Sequence, residues 1–246
     1  MMPEHKILAG TFHKTGTVLL RNILKAMSEE FGLRFWEQGP EPAGGWDIRF
    51  HGGSNFRREL AHPHRGVIVI RDPRDVIISA AHFHGRGREG WLHKPDDRFG
   101  GMTYLEKINS LPNDDERYLF EMDNFSRQVI LDMVERGQPR PDFLVVKFED
   151  LVTDVDLVEY RKIFEHLGFP PSMLARWLEI ATRYSLFSGQ VRPHLHVRSG
   201  KPAEWREKLS PRILAAFRDR FGDAAEKLGY DSADCAGEGS PAAQRA

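Results

Sequence analysis

Lys14, Thr15, Gly16 and Thr17 stand together in the stretch Phe12-His13-Lys14-Thr15-Gly16-Thr17. A cation, two hydroxyls and a glycine that lets backbone N–H groups come close are the parts of an anion site. The ligand such a loop would hold is a phosphate or a phosphate-like group. A second set runs from Arg71 through Asp72-Pro73-Arg74-Asp75-Val76-Ile77-Ile78 to Ser79. Arginine offers a planar fork of donors suited to phosphate oxygens, and a serine hydroxyl can join it on one anion. Each set has a plainer alternative. The first could be an ordinary polar turn, and Arg71 could simply pair with Asp72 or Asp75. Between the two sets lies His51, followed by Gly52-Gly53. It reads either as a proton carrier at the mouth of a site or as a turn histidine bonded to backbone.

The surrounding elements give these residues a common place. Ile7, Leu8 and Ala9, closed by Phe12, form a short apolar run that predicts a buried strand. Leu20, Ile23, Leu24, Met27 and Phe31 recur at helical spacing. The loop between them therefore feeds a helix, whose first turn carries unpaired N–H donors and a partial positive charge. It is not a Walker A loop, because no Gly-Lys-Ser/Thr occurs in the chain. Trp46, Ile48 and Phe50 alternate as in a strand, Gly66 to Ile70 and Phe143 to Phe148 read as buried strands, and Val76 to Phe83 reads as a helix with Asp72 or Asp75 as its cap. Further helices are expected over 118–136, 156–167, 171–182 and 211–221, with 185–199 irregular. Gly85 to Gly101, rich in glycine with Trp91 and Phe99, reads as a long loop of the kind that forms lids. Strands alternating with helices predict an α/β fold, one domain over 1–232 with a central parallel sheet flanked by helices. Such sheets bind ligands at the carboxyl ends of their strands. Lys14, His51 and Arg71 each follow a predicted strand, so one crevice could hold all three. From 233 to 246, Gly, Ala, Ser and Pro dominate, which predicts a disordered tail.

A chain of 246 residues suits one large domain. Its net charge of −1 provides no basic field for nucleic acid, so none is expected as a partner, and any anion site must be local. No apolar stretch is long enough to cross a bilayer, no membrane partner is expected, and a single cysteine, Cys235, suits a reducing compartment. A cytoplasmic location is the expectation. Three His-x-His pairs occur, His62/His64, His82/His84 and His194/His196, without Cys, Asp or Glu at familiar ligand spacing, so no metal is expected.

Lys14-Thr15-Gly16-Thr17 after a strand resembles the 5'-phosphosulfate loop of the sulfotransferases that use 3'-phosphoadenosine 5'-phosphosulfate (PAPS), whose pattern is Pro-Lys-Ser-Gly-Thr-Thr-Trp. Arg71 to Ser79 resembles the same family's 3'-phosphate motif, with the spacing kept, and Ala80-Ala81-His82-Phe83 continues it. Arg198-Ser199-Gly200-Lys201-Pro202-Ala203-Glu204-Trp205 resembles the segment that closes over the 3'-phosphate; Ser199, Ala203 and Glu204 depart from the pattern. Phe148-Glu149-Asp150-Leu151 and Lys227-Leu228-Gly229-Tyr230 are smaller matches, and Leu19 stands where the family often has a tryptophan under adenine. The resemblance covers residues 5 to 231.

It implies a P-loop-NTPase-like sulfotransferase fold and PAPS as co-substrate, leaving 3',5'-ADP. Thr15, Gly16 and Thr17 would hold the 5' end, and Arg71, Ser79, Arg198, Ser199 and Gly200 the 3' end. Phe148, or an aromatic between Tyr184 and Phe187, would lie against adenine. Lys14 would meet the leaving phosphate, and His51 would be the base. The implied acceptor is a small-molecule hydroxyl. Trp91, Phe99, Met102 and Tyr104 favour apolar walls for it, while His84, Arg86 and Arg88 leave a sugar or an anionic acceptor open. Two other functions share the sheet: a P-loop-like nucleotide kinase, which would want the missing Gly-Lys-Ser/Thr, and a catalytically silent nucleotide-binding protein, against which Lys14 and His51 argue.

Overall fold

The computed structural model describes residues 5–57, 59–188 and 200–231. Five parallel strands form one sheet in the order β2-β3-β1-β4-β5. They are β1 (Lys6–Gly10), β2 (Phe35–Trp36), β3 (Ile48–His51), β4 (His64–Ile70) and β5 (Phe143–Lys147). The chain leaves β1 toward β2 and β3 on one side, then crosses to β4 on the other. This reversal of strand order opens a crevice at the carboxyl end of β1. There Gly10 sits level with His51 of β3 and Ile68 of β4.

Successive side chains of a strand point to opposite faces, and the apolar runs use both. Ile7, Ala9, Val67 and Val69 enter one core cluster; Leu8, Ile68 and Ile70 enter another. The helices are α1 (Thr17–Phe31), α2 (Pro73–His84), α3 (Tyr104–Asn109), α4 (Asp114–Asp123), α5 (Phe125–Arg136), α6 (Phe148–Thr153), α7 (Val158–His166), α8 (Leu174–Tyr184), α9 (Trp205–Lys208), α10 (Pro211–Phe221) and α11 (Ala224–Lys227). α1, α6, α7 and α8 cover the first face, with Trp177 of α8 fully buried and its indole N–H donating to Tyr160 O. Val76 of α2 and Met133 of α5 cover the second. A further apolar cluster, including Ile77, Ile108, Met122, Trp205, Ile213 and Phe217, packs α3, α4, α9 and α10 outside α2.

Several elements differ from the sequence-based expectation. The helix expected over 118–136 starts earlier, at Asp114, and breaks at Asn124 (φ −123°, ψ −117°), whose side-chain amide donates to Phe120 O. α2 begins at Pro73, because Asp72 caps it by accepting from Arg74 N, and proline fits the first helical position. Ser79 therefore lies on the second turn of that helix, not its first. The stretch 85–101 is not a loose loop. Two 3₁₀ turns, Gly90–His93 and Asp97–Phe99, order it, Leu92 is fully buried, and Trp91 stacks on Phe125 at 4.7 Å. Residues 189–199 and 232–246, with the expected tail and the His194/His196 pair, lie outside the described residues. Among the described residues no helix is long and apolar enough to cross a membrane.

Candidate active site

Two left-handed residues shape the loop after β1. Lys14 has φ 66° and Gly16 has φ 94°. Glycine alone takes such a φ without cost, and a Cβ at Gly16 would lie 2.9 Å from Phe148 Cδ2. Gly16 is the N-cap of α1, so no side chain caps the helix, and its first turn holds no acidic residue. The positive end of a four-turn helix is thus left to an external anion.

The hydroxyls of the loop divide the work. Thr15 is fully buried. Its Oγ1 accepts from Phe12 N at 2.8 Å and lies 3.0 Å from both Phe12 O and Val69 O. Its own N–H donates to Phe12 O. Thr15, expected on the 5'-phosphate, is not on the cavity wall; its hydroxyl and its N–H are engaged inside the protein and staple the loop to β4. Thr17 Oγ1 donates to Phe12 O at 3.0 Å and remains partly exposed at the cavity.

At the end of β4, Arg71 donates from Nη1 to Lys14 O at 3.1 Å, tying the second motif to the first. Its guanidinium lies 4.7 Å from the centre of the Phe148 ring, and its buried Nε has no hydrogen-bond partner. Asp72 pairs with Arg74 at 2.7 Å rather than with Arg71. Arg74 lies 3.6 Å over the ring of Trp205, and the backbone N–H of Trp205 donates to Asp75 Oδ1 at 2.9 Å. The acids of this motif therefore dock the segment that carries Gly200. Burial pushes the Asp75 carboxyl up to about 6, with Arg71 opposing. Glu149 accepts from Asp72 N and from the Tyr230 hydroxyl, which fastens the last described turn beneath the site; burial raises its carboxyl too.

These elements enclose a cavity of about 220 Å³. Lys14, Gly16, Thr17, Arg71, Ser79, Phe148 and Gly200 all line it. The Lys14 ammonium lies 3.8 Å from the centre of the Phe83 ring, which is also on the wall. Gly200 takes φ 64°, and a Cβ there would meet Leu186 Cδ1 at 2.6 Å. Arg198 and Ser199 lie outside the described residues. Of the stretch 184–187, Leu186 reaches the cavity, while Tyr184 and Phe187 pack on the core. Trp91, Phe99 and Tyr104 are not on the wall either; they pack on one another and on Phe120 and Phe125 behind it.

His51 is also absent from the wall. It ends β3, its Nδ1 accepts from Gly53 N at 2.9 Å, and its ring meets Phe56 edge-on. Burial, helped by Arg49, lowers its pKa, so the ring is held neutral with its proton on Nε2. That is the hydrogen bond of the turn-histidine alternative. The wall instead presents His13 and Glu89, which sequence reasoning does not single out, and Glu204, which it names only as a departure from the family pattern. The signal for His13 is its place beside Lys14; Glu89 lies in the glycine-rich stretch 85–101 and carries none. Among the described residues no three His, Cys, Asp or Glu side chains group as a metal site.

A cavity at strand ends, with an uncapped helix on one side and an orphaned arginine nitrogen on the other, suits a ligand with two anionic groups. The chain belongs to the sulfotransferase family: the Sulfotransferase domain profile matches residues 59–229. The loop at Lys14 and His51 lie before that stretch and stand on their geometry. Two solved structures share the fold. Mouse sulfotransferase SULT7A1 complexed with PAP aligns with a TM-score of 0.55 and 13% identity, covering 93% of this chain and 89% of that one. Retinol dehydratase in complex with androsterone and inactive cofactor PAP aligns with a TM-score of 0.50 and 14% identity, covering 95% and 84%. No curated protein matches the sequence.

Proposed function

We propose that this sulfotransferase takes its sulfuryl group from PAPS and delivers it to a hydroxyl of a small-molecule acceptor. The observation that carries the reading is the junction of two anion sites, where Arg71 reaches across to the carbonyl of Lys14 while its buried Nε is left without a partner. A buried guanidinium nitrogen left unmet is costly, and a phosphate oxygen would meet it. That both fold relatives are described with PAP adds support. When bound, PAPS supplies the sulfuryl group for an in-line displacement at sulfur.

The residues divide accordingly. The N-terminus of α1, with Gly16 and Thr17, would hold the 5'-phosphate, and Arg71, Ser79 and the Gly200 segment the 3'-phosphate. Phe148 would lie against the base, beside Leu19 and Leu186. Lys14 would neutralise charge as it grows on the leaving phosphate. The acceptor hydroxyl must lose a proton; family spacing nominates His51, and the cavity wall offers His13. A cytoplasmic setting accords with the single cysteine.

Calorimetry with 3',5'-ADP and 5'-AMP tests the reading. Losing one charge-assisted contact costs about 1.5–3 kcal/mol. Arg71→Ala should therefore weaken 3',5'-ADP by roughly 10- to 150-fold and 5'-AMP far less. Equal weakening of both would remove the 3'-phosphate assignment. Transfer of ³⁵S from labelled PAPS separates an enzyme from a silent nucleotide binder.

A further inference from the structure

The cavity presents cations and an uncapped helix end to its ligand, yet one carboxylate on its wall stands against that pattern. Among the described residues Glu89 makes no side-chain hydrogen bond and no ion pair, and its Oε2 is buried without a partner. The other acids around it are met. Glu204, also on the wall, pairs with Lys208 at 3.0 Å. Glu121 of α4, fully buried behind the wall, accepts from the Tyr104 hydroxyl at 3.0 Å and the Ser126 hydroxyl at 2.7 Å. It also lies 2.6 Å from Nδ1 of His84, whose Nε2 is 3.1 Å from Nε2 of His13. A buried carboxylate oxygen left unmet is costly, and a fold that keeps one on a cavity wall leaves it to a ligand.

The surroundings of Glu89 fix it there and deepen its charge. It precedes the 3₁₀ turn Gly90–His93, and its carbonyl accepts from Leu92 N at 3.0 Å. Leu92 is fully buried and Trp91 stacks on Phe125, so the turn is anchored. Gly87 makes the room: a Cβ there would lie 2.7 Å from Glu89 Oε2 and 3.1 Å from the Phe83 carbonyl. That carbonyl belongs to the last turn of α2, the end of a helix that carries partial negative charge. Carboxylate and helix end thus share one negative spot. The arginines of the same stretch leave it unanswered: Arg86 and Arg88 are exposed, neither pairs with Glu89, and Arg86 Nη1 lies 3.0 Å from His82 Nε2.

The position of this spot follows from α2. Ser79 and Phe83 line the wall one helical turn apart, about 6 Å along the axis, and Glu89 comes after the helix end. Ser79 belongs to the proposed 3'-phosphate side, and the Lys14 ammonium, proposed for the leaving phosphate, lies over Phe83. Glu89 therefore stands at the far end of the wall, beyond the group to be transferred, where the acceptor must enter. Next to the nucleotide's phosphates the same carboxylate would repel them.

We propose that Glu89 selects the acceptor, anchoring a protonated amine carried by the hydroxyl compound that receives the sulfuryl group. The proposal rests on the sulfotransferase reading above. An ammonium supplies both the donors that Oε2 lacks and the charge that the spot lacks, and a charge-assisted bond is roughly twice as strong as a neutral one. A neutral hydroxyl would meet the oxygen and leave the charge unanswered. An acceptor bearing a carboxylate would meet like charge and be rejected.

Calorimetry on protein saturated with 3',5'-ADP reads acceptor affinity without turnover. The probes are 4-ethylphenol, 4-(2-hydroxyethyl)phenol, phenols with a 4-aminoalkyl chain of one to three carbons, and 3-(4-hydroxyphenyl)propanoate. The best aminoalkyl phenol should bind about 10- to 150-fold more tightly than 4-ethylphenol, and the propanoate more weakly than either. Glu89→Gln keeps the outline and removes the charge; it should bring the amines level with the neutral phenols while 3',5'-ADP still binds. Glu89→Lys should turn the preference to the propanoate. Transfer of ³⁵S from labelled PAPS to the same compounds should follow the same order in kcat/KM, with the Glu89→Gln loss confined to the amines. A wild type with no preference for the ammonium, a preference that survives Glu89→Gln, or an equal loss with every phenol, as for a structural or proton-carrying group, overturns the proposal. Wild-type protein that binds no 3',5'-ADP sinks the sulfotransferase reading along with it; nucleotide binding without ammonium preference sinks this proposal alone.

Discussion

Replacing Thr15 by valine keeps the outline of the side chain and deletes one hydroxyl. That hydroxyl accepts the Phe12 N–H and reaches the carbonyls of Phe12 and Val69, all where Thr15 is fully buried. The Phe12 carbonyl would still receive the Thr15 N–H and the Thr17 hydroxyl. The Phe12 N–H would not be replaced, and a buried unsatisfied donor costs about 1–3 kcal/mol. Losing the bond to Val69 O adds about 1 kcal/mol. The sum, roughly 2–4 kcal/mol, corresponds to a fall in Tm of roughly 4–16 °C for a chain of this size. Thr15→Ser keeps the hydroxyl and should melt close to the wild type. Circular dichroism melts measure both, and calorimetry with 3',5'-ADP on folded protein completes the comparison. If Thr15→Val melted like the wild type but bound the nucleotide much more weakly, the hydroxyl would be serving the ligand, and the staple argument would be wrong.

Gly16→Ala must hold alanine at φ 94° with its Cβ 2.9 Å from Phe148 Cδ2. A left-handed residue alone costs about 1–2 kcal/mol, so Tm and 3',5'-ADP affinity should fall together, and an unchanged Tm would contradict the strain. Asp75 titrates at about 6 in the fold against an ordinary 3.8, so the folded state binds its proton more tightly than the unfolded one. Its ionisation then costs the fold nothing below the unfolded value and on the order of 3 kcal/mol above pH 6, so this contribution to stability falls as pH rises between them. Asp75→Asn should gain on the wild type across that window in melts at stepped pH; a difference that stays flat with pH would refute the burial argument. Lys14→Ala should cut kcat by about 10²–10³-fold while 3',5'-ADP affinity falls less, as for a group that acts on charge developing in the transition state. A change confined to the KM for PAPS would make Lys14 a binding residue instead.

The frame of the site was legible because its signals are local. The apolar runs at Ile7–Ala9 and Gly66–Ile70 could only be strands buried on both faces, and such strands imply a parallel sheet under helices. Lys14, Gly16 and Thr17, like Arg71, then fall at strand exits wherever the rest of the chain goes, Ser79 follows on the next helix, and all five line the cavity. Which way each side chain turns was not local. Thr15 and Thr17 look alike in the sequence. The left-handed turn at Lys14 aims one at Val69 and leaves the other at the cavity. The aromatics of 91–104 looked like lid and pocket residues, but the break at Asn124 brings Phe120 and Phe125 against them and draws them inward. Most of all, His13, His84 and Glu121 come from three separate elements, at separations of 71 and 37 residues. No periodicity or motif links them. They meet because α2 and α4 pack against each other beside the loop after β1, and a carboxylate buried there must be met by whatever donors the packing supplies.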